Sequence, residues 1–169
     1  MHRALQIWSG GQTGVDRAAL DVACELGLSI HGWVPRGRLA ENGVIPPRYE
    51  GLRETDSADY GDRTRRNVHD TDATLVFRVH AASGGTRTTL ELAQQLRRPC
   101  LDVDLGSQTP QEAAGEVTRW LNGLMADRTS LRLNVAGPRA SEAPGVHALA
   151  RETLRLVLAP YSWGPSDQR

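Results

Sequence analysis

Three short turns carry the residue types that bind anions. The first, SGGQTGVDRAAL over residues 9–20, follows an apolar run directly and leads into an amphipathic one. Gly10, Gly11 and Gly14 permit positive φ and close backbone approach, and the free N–H groups that open a helix attract negative charge. Ser9, Gln12 and Thr13 add side-chain donors, while Asp16 falls in the first helical turn, where a carboxylate caps free amides or holds a ribose hydroxyl or an arginine. The second turn, SGGTRTTLELA over residues 83–93, repeats the layout with Gly84, Gly85, Thr86, Thr88 and Thr89. Glu91 follows within the first helical turns, as a dipole-facing carboxylate or as a catalytic or ribose-binding group. The third, NVAGPRASEAPG over residues 134–145, turns at Gly137 and Pro138, offers Arg139 to an anion and places Ser141 as a helix N-cap. Together they predict a site for a phosphorylated ligand. The pattern is neither a GxGxxG fingerprint nor a P-loop.

Further cations stand near these turns. In RTRRNVHDTDATLVF, residues 63–77, spacings of three and four put Arg63, Arg66 and Asn67 on one helical side just before a strand. The segment 35–49 offers Arg36, Arg38, Glu41 and Arg48 to clamp a phosphate from above. Every basic residue other than histidine is arginine, which excludes side-chain Schiff-base chemistry and the Walker lysine while suiting bidentate phosphate contacts. The five histidines are scattered, neither cysteine has a partner at ligand spacing, and Gly-x-Ser-x-Gly is absent, so no metal site and no nucleophilic serine is expected.

The elements that position these turns follow from hydrophobic patterning. Short apolar runs alternate with helical ones, predicting an α/β fold: a Rossmann-like three-layer sandwich with a mainly parallel sheet of about five strands. The strands are expected over Ala4–Trp8, Ser29–Val34, Ala73–Val79, Cys100–Val103 and Leu131–Ala136. The helices are expected over Val15–Leu26, Asp56–Val68, Thr86–Leu96, Pro110–Leu124 and Ala143–Leu158. Pro35–Thr55, about twenty residues with three prolines, is too long for an idle connection and reads as a functional loop or lid. Residues 1–163 read as one domain and 164–169 as a tail.

With 20 basic and 20 acidic residues the chain has no net field to recruit nucleic acid or an anionic membrane. No window approaches the ~20 apolar residues of a membrane span, and Cys24 and Cys100, in apolar contexts, read as buried thiols of a reducing compartment. The expected location is the cytoplasm.

Five segments, SGGQTGVDRAALDVA, GWVPRGRLAENG, RTRRNVHDTDATLV, GGTRTTLELA and LNVAGPRASEAPG, resemble in this order the bacterial family named putative molybdenum carrier, the circularly permuted YpsA-type members of the SLOG superfamily. The resemblance runs from about residue 6 to about residue 158. It implies a Rossmann-like fold, a nucleotide-like or molybdenum-pterin ligand, a carrier or sensor role, and a homodimer. The superfamily also holds LOG phosphoribohydrolases, whose GGxGTxxE motif Gly84, Gly85, Thr88 and Glu91 match while Arg87 replaces the third glycine. The alternative it implies is N-glycosidic cleavage of a nucleotide, with Glu91 assisting at the ribose C1′ and Arg63 holding the ligand.

Overall fold

The structure, a computed structural model, describes residues 4–162. The tail expected over residues 164–169 lies outside them. In chain order the elements are β1 (Ala4–Trp8), α1 (Val15–Glu25), β2 (Ser29–Val34), β3 (Leu39–Ala40), β4 (Gly43–Val44) and β5 (Leu52–Glu54). There follow α2 (Tyr60–His69), β6 (Ala73–Arg78), α3 (Gly84–Gln95), β7 (Cys100–Asp104), α4 (Pro110–Met125), β8 (Ser130–Ala136) and α5 (Val146–Leu158). A 3-10 turn, Ala159–Tyr161, follows α5.

Six strands form one parallel sheet in the order β5-β2-β1-β8-β6-β7. The chain leaves β1 toward β2 and leaves β6 toward β7 in the opposite direction, with β8 inserted at the reversal. In open α/β sheets such a reversal opens a crevice at the carboxyl ends of the strands.

The two faces of the sheet differ in chemistry. Leu131, Leu133 and Val135 of β8 join Val15, Ala18 and Val22 of α1, Val117 and Leu121 of α4, and Leu154 of α5 in the main apolar core. The alternate residues of the same strand, Asn134 and Ala136, face α2 and α3, where the buried apolar cluster is Val68, Leu92 and Ala93. Period-two alternation thus gives β8 one dry face and one face that borders a cavity.

Local signals explain the helix limits. Pro110 opens α4 behind a capping box in which the Thr109 hydroxyl and the Glu112 carboxylate serve each other's backbone N–H groups. α1 stops before Gly27, which adopts φ 67°. The Asp59 side chain accepts from Gly61 N, so α2 begins at Tyr60 rather than at Asp56.

Four expectations need correction. A sixth strand, β5, adds to β2 in parallel at the sheet edge. The segment 35–55 is accordingly strapped down rather than open: it carries the β3–β4 hairpin, and Ile45 and Tyr49 bury against Leu20 and Val34. α5 starts at Val146 behind Gly145 at φ 85°, so Ser141 does not cap it. Finally, Cys24 is exposed and Cys100 half-buried, both free, and burial pushes the Cys100 thiol up to about 11.

Candidate ligand-binding site

A cavity of about 260 Å³ lies at the carboxyl ends of β1 and β8, between α2 and the first turn of α3. The turn after β1 contributes Gly10, Gln12 and Asp16, and β8 with the turn beyond it contributes Asn134, Ala136, Gly137, Arg139 and Glu142. From α2 come Tyr60, Gly61, Arg63, Thr64 and Asn67, and from α3 come Gly85, Thr86, Thr88 and Thr89.

Arg63 and Asp16 meet at the centre. Arg63 Nη1 donates to Asp16 Oδ2 at 2.9 Å, and Gln12 N donates to the same oxygen at 3.2 Å. Burial pushes the Asp16 carboxyl up, while the Arg63 guanidinium and the Gln12 amide pull it back. A methyl group on Gly10 would fall 1.7 Å from Arg63 Nη1, so the glycine makes the seat for the guanidinium. Two polar atoms of residues that line this space are buried and unpartnered, Arg63 Nε and Thr86 Oγ1. Orphaned buried donors are costly, which marks them as groups awaiting a partner.

A second charged pair flanks the α3 N-terminus. Arg139 Nε lies 3.0 Å from Glu142 Oε1 and 3.8 Å from Glu41 Oε2. A methyl group on Gly84 would lie 3.5 Å from Glu142 Oε1, so this carboxylate rests against the first turn of α3, where backbone N–H groups favour negative charge. The Ser83 side chain makes no capping bond there.

Several residues expected to contact the ligand, Ser9, Gly11, Thr13, Gly14 and Ser141, lie outside the cavity lining and bond or pack within its frame. Ser9, fully buried, donates to Asp16 O and accepts from Gly11 N. Gly11, at φ 71°, faces Ile45 and Val34. Gly14, at φ 78°, would push a methyl group to 2.3 Å from Pro138 O, which accepts from Val15 N. Thr13 Oγ1 donates to Glu41 Oε1 at 2.5 Å and accepts from Ala140 N. Ser141 Oγ donates to Glu41 Oε2 at 2.5 Å, and Gln12 Oε1 accepts from Glu41 N. Glu41 therefore ties the hairpin segment to the first and third turns, and the Ser141 hydroxyl, then that of Thr13, holds its carboxyl below the ordinary glutamate range.

Arg36, Arg38 and Arg48 also stand outside the cavity lining. Arg36 is exposed, Arg38 bonds the carbonyls of Ile45, Pro46 and Tyr49, and Arg48 pairs with Asp21. Of the helical trio, Arg63 and Asn67, four residues apart, reach the cavity; Arg66 instead packs over Trp33 at 5.0 Å and pairs with Asp62. Glu91 is exposed and outside the lining, whereas Thr88, one turn earlier, lines it. Tyr60 lies outside the quoted segments, and Thr64, Asn134, Ala136 and Glu142 lie within them without being singled out, because the α2–α3 packing, the β8 alternation and the turn beyond β8 bring them to the cavity. Among the described residues no group of three or more His, Cys, Asp or Glu side chains is arranged to hold a metal ion.

This site lies on a shared fold. The chain is similar to a crystal structure described as that of a putative molybdenum carrier protein from Syntrophus aciditrophicus SB, with 39% identity, a TM-score of 0.84, and coverage of 94% of this chain and 97% of that one. No curated protein matches the chain. Residues 7–158, which include all three glycine-bearing turns and all of the sheet but the start of β1, match the Circularly permutated YpsA SLOG family, and the chain belongs to that family.

Proposed function

We propose that the protein binds a small phosphorylated ligand, nucleotide-like or molybdenum-pterin, in the cavity between α2 and α3 and serves as its carrier or sensor. The observation that carries this reading is one cavity lined by Arg63, Thr86 and Arg139 beside the N-terminus of α3, with Arg63 Nε and Thr86 Oγ1 buried and unpartnered in its wall. A phosphate group bound there would meet guanidinium and hydroxyl donors and the favourable helix end. The volume, about 260 Å³, lies just below the usual range of about 300–1,000 Å³ for small-molecule sites. This favours a mononucleotide-sized ligand.

Neither cysteine lines the cavity, so molybdenum carried there as cargo would arrive as an oxyanion or on its own pterin rather than on protein thiolates. The name of the Syntrophus protein agrees with such a cargo. Glu91, on which the hydrolase alternative relies for assistance at the ribose C1′, is exposed and outside the lining to which Arg63 belongs, which supports the binding reading over that alternative. The reading also takes residues 1–163 as one domain acting in the bacterial cytoplasm as a homo-oligomer. No helix among the described residues is long and apolar enough to cross a membrane.

A thermal-shift panel of nucleoside monophosphates, a pterin phosphate, inorganic phosphate and molybdate tests it. A ligand at a hundred times its Kd stabilises by about 2.7 kcal/mol, or several degrees in Tm for a domain this size. A flat response across the panel would refute the reading.

A further inference from the structure

Two buried asparagines line the cavity, and they differ in what they have left to bind. Asn67, 3% exposed, is engaged at both ends: its Oδ1 accepts from Trp33 N at 2.8 Å and its Nδ2 donates to Trp33 O at 2.9 Å, docking α2 on β2. Asn134, 2% exposed, makes one long side-chain bond, Nδ2 to Thr74 Oγ1 at 3.4 Å. A carboxamide offers two N–H donors and two lone pairs, so Asn134 keeps a donor and its acceptor oxygen in reserve. It stands on an inner strand of the sheet, flanked in register by Trp8 and Thr74, and lines the cavity. A ligand group in the cavity can use the free amide positions.

We infer that Asn134 reads the edge of a planar nitrogen heterocycle at the floor of the cavity, and so sets which base or pterin the ligand carries. An amide presents its donor and acceptor side by side, which matches a ring edge with adjacent acceptor and donor: the amino edge of adenine, or the lactam edge that guanine shares with pterins. Tyr60, half-buried, brings an aromatic ring to the same cavity, with the Arg63 guanidinium 5.6 Å from its ring centroid. The anion donors Thr86 and Arg139 belong to the helix end and the turn beyond β8, so the two ends of a nucleotide find different chemistry. This inference builds on the phosphate reading but uses different residues.

The test compares affinities of the intact protein for ribose 5-phosphate, the four nucleoside 5′-monophosphates and the corresponding free nucleosides, with Asn134→Leu and Asn134→Asp variants beside the parent. The parent is expected to prefer one base over ribose 5-phosphate by about tenfold or more. Asn134→Leu should reduce that preference to within about twofold while leaving ribose 5-phosphate affinity unchanged, and Asn134→Asp, which exchanges a donor for an acceptor, should change which base is preferred. Preference for adenosine identifies the amino edge and preference for guanosine the lactam edge. If ribose 5-phosphate fails to bind but a nucleoside binds in an Asn134-dependent way, the phosphate reading falls and the heterocycle site stands. Equal affinity for all bases in the parent, undiminished preference in both variants, or no binding of any nucleoside or nucleotide would overturn it. Melting curves of both variants show that the comparison is made on folded protein.

Discussion

The Arg63 guanidinium occupies the place that a side chain on Gly10 would fill, its Nη1 1.7 Å from the position of a Cβ atom there. Gly10→Ala must therefore move Arg63. If the two residues act on the ligand as one unit, their effects on affinity overlap rather than add. Gly10→Ala and Arg63→Gln are each expected to weaken phosphate binding about tenfold, and the double variant to lose no more than Arg63→Gln alone. A double-mutant cycle of dissociation constants measures this directly.

Gly14→Ala should act on the fold instead. The added methyl group would meet the Pro138 carbonyl at 2.3 Å, and φ of 78° is strained for any residue with a Cβ. Strain of this kind costs about 1–3 kcal/mol, and the backbone clash adds to it. A thermal melt is expected to show Tm lowered by roughly 4–8 °C or more.

Glu142 places a negative charge against the end of α3 and holds Arg139 in an ion pair. A phosphate at the same helix end competes with that carboxylate for both the helix amides and the guanidinium. Glu142→Gln, which keeps the shape and removes the charge, should tighten inorganic phosphate binding about three- to tenfold and steepen its salt dependence. Titration calorimetry at two ionic strengths reads both effects.

Acid should loosen the strap that Glu41 forms. Its carboxyl is depressed in the folded chain, chiefly by the Ser141 hydroxyl and then by that of Thr13, so the unfolded chain binds the proton more readily. The resulting stability is present above the ordinary glutamate value of about 4.3 and is lost as the pH falls through the lower folded value. Melting temperatures of the parent and Glu41→Gln should differ by a few degrees at pH 7 and converge once the pH has fallen below the depressed folded value.

Much of this was legible in the sequence where local chemistry decides. The 3.6-residue spacing from Val15, the glycine after α1 and the Thr109-Pro110 start of α4 each encode an element through neighbouring residues alone. β5 escaped because three residues, Leu52–Glu54, are too few to show alternation, and its pairing with β2 is a tertiary event. Ser141 looked like a cap because its type and spacing suit one, yet Gly145 at φ 85° delays the helix and frees the hydroxyl for Glu41. In the site, the glycine-rich turns announced a close backbone approach without saying what approaches. At Gly10 it is Arg63, and at Gly14 it is the Pro138 carbonyl. Asn134 could be recognised only once β8 was seen to show one face to the core and the other to the cavity.

The most direct test of the binding claim is an amide NMR titration of the intact protein with inorganic phosphate and then a nucleoside 5′-monophosphate. Saturable shifts largest at the Gly85 and Thr86 amides and the Arg63 Nε–H resonance are predicted, and in Gly10→Ala they should require about tenfold more ligand. Shifts scattered over surface arginines, or none at millimolar ligand, would contradict the account.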